Sequence, residues 1–176
     1  ICDMRWMMVC SITVASGGIL PELTVNKTNA TDIISISGAG TLDFYKDFNL
    51  TKGIVDLSGN DLNCRTTSVF TSNNNATLRV QGGETLTFSG SGGFDDNQGS
   101  VEFTGTGTYS SLPSGFSDSF YDLSFTGSGS WNLSDNILVS SSGTGIEVAN
   151  QLSLSSSLNV GGTGATVDIT GDLTIG

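Results

Sequence analysis

The chain has 176 residues, including 24 Gly, 26 Ser, 21 Thr, two Pro, three Cys and no His. Six Lys and Arg stand against 17 Asp and Glu, a formal net charge of -11. Without His there is no Ser-His-Asp triad, Cys-His pair or His-ligated zinc, and six basic residues are too few for a nucleic-acid footprint or a polybasic membrane patch.

The length suits a single domain spanning 1–176. A chain rich in Ser, Thr, Gly and β-branched residues and poor in Lys and Glu lacks helix formers and favours strands joined by tight turns. It opens on Ile1–Cys10, a Met-rich stretch whose apolar run Trp6–Cys10 is too short for a secretory h-region or a membrane span. With no Met at position 1, the expectation is a trimmed, processed or partly identified segment of a longer chain. Ile1–Cys10 would then be a cap or the end of an adjoining coil.

From there the chain alternates. Leu23-Thr24-Val25, Ile34-Ser35-Ile36, Leu42-Asp43-Phe44, Phe48-Asn49-Leu50 and Val55-Asp56-Leu57 read apolar, polar, apolar. Leu78-Arg79-Val80, Leu86-Thr87-Phe88, Val101-Glu102-Phe103 and Leu123-Ser124-Phe125 continue the pattern. Ile137–Val139, Ile146-Glu147-Val148, Leu152-Ser153-Leu154, Leu158-Asn159-Val160, Val167-Asp168-Ile169 and Leu173-Thr174-Ile175 complete it. Gly, Ser, Asn or Asp punctuates the triplets, and no stretch keeps helical periodicity over two turns. Triplets this short and this closely spaced fit an all-β fold, a parallel β-solenoid (β-helix) of short stacked strands. About seven to nine coils of about 20–25 residues are expected, each burying one side chain in two against its neighbours. The hand of the solenoid is left open.

A longer repeat is also expected. Leu23-Thr24-Val25 aligns with Leu123-Ser124-Phe125 at an offset of 100, and Phe48–Leu50 and Val55–Leu57 find later counterparts at similar offsets. The super-repeat would run 11–110 and 111–176, its second copy incomplete.

Val101, Phe103, Phe120, Tyr121, Leu123, Phe125, Trp131 and Leu133 form a pattern of strand anchors between Gly-rich turns. It resembles the Ser/Thr/Gly-rich β-solenoid repeats of bacterial surface proteins, filamentous-haemagglutinin-like or autotransporter-like adhesins. The resemblance covers about residues 11–176. It implies export to the cell surface and a role as stalk, filament or adhesin.

Charge is uneven. Residues 1–79 hold all six cations and seven acids; residues 80–176 hold ten acids and no Lys or Arg. An acidic surface repels phosphate backbones and anionic lipids. The acids Asp56, Glu102, Glu147 and Asp168 sit at the outward centres of triplets, where stacking could bring two within one rung, about 4.8 Å. Polysaccharide-active solenoid enzymes use such carboxylates, but no Lys or Arg follows Arg79 to clamp a substrate, and a non-enzyme is expected. Asp95, Asp96 and Asn97, in a Gly-flanked loop, are the weak calcium candidate, since calcium takes several oxygen ligands. Gly161–Thr166 begins like a calcium-binding nonapeptide but has Thr166 where Asp belongs. Thr85, Thr87, Thr104, Thr106 and Thr108 form short Thr-x-Thr runs. N-x-[ST] sequons stand at Asn26, Asn29, Asn49, Asn75 and Asn132. Cys2, Cys10 and Cys64 have no metal spacing. They read as buried apolar residues, with a Cys10 or Cys2 bridge to Cys64 left open. Trp6, Phe44, Tyr45, Phe48, Phe120, Tyr121 and Trp131 belong mostly to a core, with Tyr45 and Tyr121 out of phase and able to face a sugar.

The sequence therefore points to an extracellular structural or adhesive rod or filament segment of a larger surface protein. A carbohydrate- or calcium-binding module is the alternative, and a solenoid polysaccharide-active enzyme the third. Partners would be further copies or coils meeting end to end at open strand edges, and host or environmental glycans.

Overall fold

A computed structural model describes residues 10–13, 19–38, 40–65, 70–89, 94–95, 99–113, 115–116, 119–133, 137–139, 145–148, 151–154, 158–160, 166–169 and 172–175; beyond Leu133 the description is of backbone only. Every regular element in it is a strand. In chain order these are β1 (Cys10–Thr13), β2 (Ile19–Leu20), β3 (Leu23–Asn26), β4 (Ile33–Ser37), β5 (Thr41–Phe44), β6 (Phe48–Asp56) and β7 (Asp61–Cys64). Next come β8 (Phe70–Val80), β9 (Leu86–Phe88), β10 (Phe94–Asp95), β11 (Ser100–Phe103), β12 (Thr108–Tyr109), β13 (Ser119–Phe120) and β14 (Asp122–Phe125). The last are β15 (Ser130–Leu133), β16 (Ile137–Val139), β17 (Gly145–Val148), β18 (Gln151–Leu154), β19 (Leu158–Val160), β20 (Thr166–Ile169) and β21 (Asp172–Ile175).

The strands stack in parallel as a β-solenoid. The main sheet runs β1-β4-β6-β8-β11-β14-β17-β20. Its register carries one apolar column through Cys10, Ile34, Val55, Leu78, Val101, Leu123, Ile146 and Val167. Successive members are 21 to 24 residues apart, the length of one coil. A second apolar column, Val80, Phe103, Phe125, Val148 and Ile169, runs beside it. Polar residues alternate with both, and from Ser35 to Ser124 they face outward, which is the period-2 pattern expressed once per coil.

Further faces complete each coil. In the first half they are β2-β5-β7-β9 and the stack of β3 and β10 on the leading ends of β6 and β8. In the second half they are β12-β15-β18-β21 and β13-β16-β19. β6 is long because it serves two faces: its register shifts between Leu50 and Lys52, and Gly53 follows at φ 104°. That backbone region costs an L side chain strain, and a Cβ at Gly53 would also meet the Lys27 side chain. Leu23–Val25, which the 100-residue offset equates with Leu123–Phe125, pairs with the leading end of β6, whereas Leu123–Phe125 pairs with β11 and β17.

Between the faces lies a narrow core. Phe44, Phe48, Leu50, Leu57, Leu62, Cys64, Leu78, Val80, Phe103 and Leu133 are fully buried. Aromatic rings stack rung on rung: Phe103 and Phe125 lie 5.0 Å apart at 13°, and Tyr109 and Trp131 4.2 Å apart at 17°. Offset stacking of this kind adds to simple burial. Trp131 lies over Gly82, where no Cβ would fit.

The corner after the main sheet is closed from inside by two buried polar side chains, Asn60 and Glu84. Asn60 Nδ2 donates to the Leu57 carbonyl at 2.8 Å and to the Ile36 carbonyl of the preceding coil at 3.3 Å, while its Oδ1 accepts from Gly40 N at 3.4 Å. One coil later the Glu84 carboxylate accepts from Gln81 N and Gly82 N, both at 2.6 Å. Each satisfies backbone groups that the turn takes out of the ladder.

Candidate functional site

Chemistry-bearing residues align on two faces. On the main sheet the register aligns Ser35, Asp56, Arg79, Glu102, Ser124, Glu147 and Asp168 in a single column. All four acids singled out from the sequence therefore share one line, and Glu147 and Asp168 occupy adjacent rungs. Arg79 sits between two carboxylates. Its Nε and Nη2 each lie 2.7 Å from Glu102 Oε2, and its Nη1 lies 3.7 Å from Asp56 Oδ2. Thr126 Oγ1 donates to the other Glu102 oxygen at 2.6 Å. Asp56 Oδ1 accepts from Ser58 N at 2.8 Å, holding the turn at Ser58, whose φ is 52°. Asp56 and Glu102 are thus engaged in ion pairs and hydrogen bonds and are two rungs apart.

The second face is the outside of β2-β5-β7-β9. Here Ile19, Asp43, Asn63 and Thr87 align in register. The next outward positions are also linked rung to rung, through Tyr45 N to Leu20 O, Arg65 N to Phe44 O and Ser89 N to Cys64 O. Arg65 grips Asp43 diagonally, Nε to Oδ1 at 2.8 Å and Nη2 to Oδ2 at 2.6 Å, and Asn63 Nδ2 donates to Oδ1 at 3.2 Å. The hydrogen bonds from Arg65 hold the Asp43 carboxyl below its ordinary range, against the opposing effect of desolvation. Tyr45 is 58% exposed and Ile19 50% exposed, the two large apolar residues left open to solvent among the described residues.

The remaining sequence candidates are placed as follows. Asp95 belongs to β10, its backbone paired with Thr71, while Asp96 and Asn97 lie outside the described residues, as do Gly161–Ala165. Among the described residues no group of three or more His, Cys, Asp or Glu is arranged to hold a metal ion. Cys64 is a free, buried thiol between Phe44 and Phe88 in its column, so it forms no bridge to Cys2 or Cys10. Burial, with Asp43 and Asp47 nearby, pushes that thiol up to about 12. Cys2 and Trp6 lie outside the described residues, and Cys10 is described only as part of β1. Phe44, Phe48, Phe120 and Trp131 are core, Tyr121 is half-buried, and Tyr45 alone of the described members of that aromatic set is open. Neither Thr-x-Thr run stacks into a Thr row: Thr87 pairs with Asn63 and Thr108 with Ser130. The sequon residues Asn26, Asn29, Asn75 and Asn132 are exposed and Asn49 is half-buried.

Sequence reasoning missed the Asp43–Arg65 grip and the corner roles of Asn60 and Glu84. The available signal was the coil period, since Asp43 and Arg65 are 22 residues apart, one turn of the solenoid. No helix among the described residues is long and apolar enough to cross a membrane. Compared with known proteins, the chain matches no family model, no curated protein and no solved structure.

Proposed function

We propose that the chain is a segment of an extracellular structural or adhesive rod, of the kind that the bacterial surface-protein repeats it resembles would build, and that it carries no catalytic activity of its own. The observation that carries the proposal is the unbroken register of apolar residues from Ile34 to Val167, buried from Ile34 to Leu123. Each coil buries its apolar residues only against its neighbours, so the fold extends by addition and resists local opening. Seven steps in the main sheet at about 4.8 Å give a stack about 34 Å long. Outside, Asp56 and Glu102 are tied to Arg79, which suits a load-bearing ladder better than a proton-transfer pair. The ten acids and absence of cations in residues 80–176 give that half a field that repels anionic polymers.

End-to-end association belongs to the same proposal. A strand edge is a template for a further strand, whether of a further coil of the same chain or of a second copy.

Fractionation of the source cells, with an antibody raised against the purified chain, tests location: recovery in the surface or extracellular fraction is expected. Recovery in the cytosol overturns the proposal. Small-angle scattering of the chain over a range of concentrations should give an elongated particle that lengthens without thickening; lateral growth overturns end-to-end association.

A further inference from the structure

We infer that the outer face of β5 and β7 is a binding site for a neutral saccharide, with Tyr45 as its stacking platform and the Asp43–Arg65–Asn63 group as its hydrogen-bonding wall. The inference gives the adhesive form of the proposed rod a ligand class and rests on that reading; cell fractionation and scattering test the rod and saccharide titration tests the face, so the two fail separately.

The two outward columns of this face form a grid, about 4.8 Å between rungs and about 6.6–6.8 Å along each strand. On one side of it are Ile19 and the Tyr45 ring, 50% and 58% exposed, with the exposed Pro21 beside Tyr45 in the preceding coil. Surface apolar residues are ordinary when scattered; here they are grouped around an open aromatic ring on a flat, rigid sheet. On the other side is a planar polar group. Asp43 is held by two Arg65 hydrogen bonds and one from Asn63, so neither carboxylate nor guanidinium has to reorganise to meet a ligand. A guanidinium has five N–H donors and two are used on Asp43, which leaves donors on a side chain 41% exposed. The Asp43 carboxylate accepts three of about four bonds, leaving acceptor capacity beside those donors.

Pyranose sugars match this arrangement. One face of the ring is C–H and packs on an aromatic; the rim carries vicinal hydroxyls that donate to a carboxylate and accept from a guanidinium. Charge selects the neutral class. Asp43 and Arg65 cancel locally, and residues 1–79 around them are close to neutral, six cations against seven acids, so the face offers no net cation to hold an acidic glycan. Preorganisation on strands lowers the ordering cost of binding, and a shallow open face of this kind gives weak affinity, with Kd on the order of 1 mM.

The test is an NMR titration of the labelled chain with cellohexaose, xylohexaose and mannohexaose, and with hexagalacturonate as the acidic probe. Amide shifts at Tyr45, Arg65 and their neighbours with at least one neutral hexamer are expected. Tyr45→Ala should weaken that binding by about 10-fold or more and Tyr45→Trp should retain it, with a thermal melt showing each variant to be folded at the titration temperature. Arg65→Lys, which keeps the charge and loses the fork, should weaken binding while hexagalacturonate remains inert. The proposal is overturned by silence of the face toward every neutral hexamer at about 10 mM, well above the expected Kd. It is also overturned by unchanged binding in Tyr45→Ala, by preference for the acidic probe, or by a Tyr45-dependent dimer without saccharide binding, which would give the face to a second copy of the chain.

Discussion

Arg79 and Glu102 lie one rung apart on the main sheet and are joined by two 2.7 Å contacts from the guanidinium to a single carboxylate oxygen. The other oxygen accepts from Thr126, one coil further on. Arg79 also reaches back toward Asp56 at 3.7 Å, so one side chain links three successive coils. It is the last cation in the chain.

Replacing Arg79 by Met should therefore cost more than a surface ion pair does. Its partners are about four-fifths buried, with side-chain exposures of 22% for Asp56 and 17% for Glu102. Losing charge-assisted bonds to such groups costs about 1–3 kcal/mol. Arg79→Lys should recover less than half of this, since a point charge cannot replace the fork. Urea denaturation of the three proteins checks both expectations, and equal midpoints would show the ladder to be passive.

The Asp43–Arg65 pair makes a pH prediction. Hydrogen bonds from Arg65 put the folded Asp43 carboxyl below its ordinary 3.8. A depressed acid stabilises the fold above its unfolded value and loses that contribution as pH falls through the folded value. The stability difference between wild type and Asp43→Asn should be constant from about pH 7 to 5 and shrink steadily below about pH 4. A difference that grows on acidification would contradict the assignment. Arg65 is 41% exposed, so solvent screening keeps the effect small.

Asn60 offers a sharper test of the corner. Its amide serves the Leu57 and Ile36 carbonyls and accepts from Gly40 N, bridging two coils from a buried position. Asn60→Ala removes the side-chain partner of the Ile36 carbonyl and of Gly40 N, while the Leu57 carbonyl keeps its bond from the residue-60 backbone N, and should lower stability by about 1–3 kcal/mol. Asn60→Asp keeps the acceptor for Gly40 but turns a donor toward carbonyls into an anion, and should be worse. Thermal unfolding of both variants ranks them; the reverse order would show that the turn relaxes around the site.

Architecture was legible because a solenoid repeats one local rule. Leu78-Arg79-Val80 and Val101-Glu102-Phe103 announce their strands by alternation alone, and they lie in register as written. Leu62-Asn63-Cys64 alternates equally well, but Asn60 and Asp61 before it resemble turn formers and hide β7. β12 and β13 are two residues each, too short for any period to show. The acid column was visible as four separate residues; its alignment was not, because register depends on corner lengths that vary from coil to coil. Arg65 and Asp43 illustrate the same limit. Each reads as a solitary surface charge until the coil period puts them on neighbouring rungs.

Ser72 supplies a prediction of opposite sign. It occupies the inward column that begins with Val25 and Leu50, and it is 1% exposed. Its Oγ has no hydrogen-bond partner among the described residues. A buried hydroxyl without a partner forfeits its hydration and receives nothing in return, a penalty of about 1–3 kcal/mol. Ser72→Ala removes the hydroxyl and leaves a void no larger than one oxygen, so it should stabilise the fold by about 1 kcal/mol. Ser72→Val restores the volume the column carries at Val25 and should match or exceed that gain. Both substitutions sit mid-strand, where valine is favoured and alanine mildly disfavoured, which trims the gain from alanine. Urea midpoints with unchanged slopes would isolate the effect to the folded state. A destabilised Ser72→Ala would mean that an internal water or a shifted rotamer satisfies the hydroxyl, and that the column is polar at this rung by design.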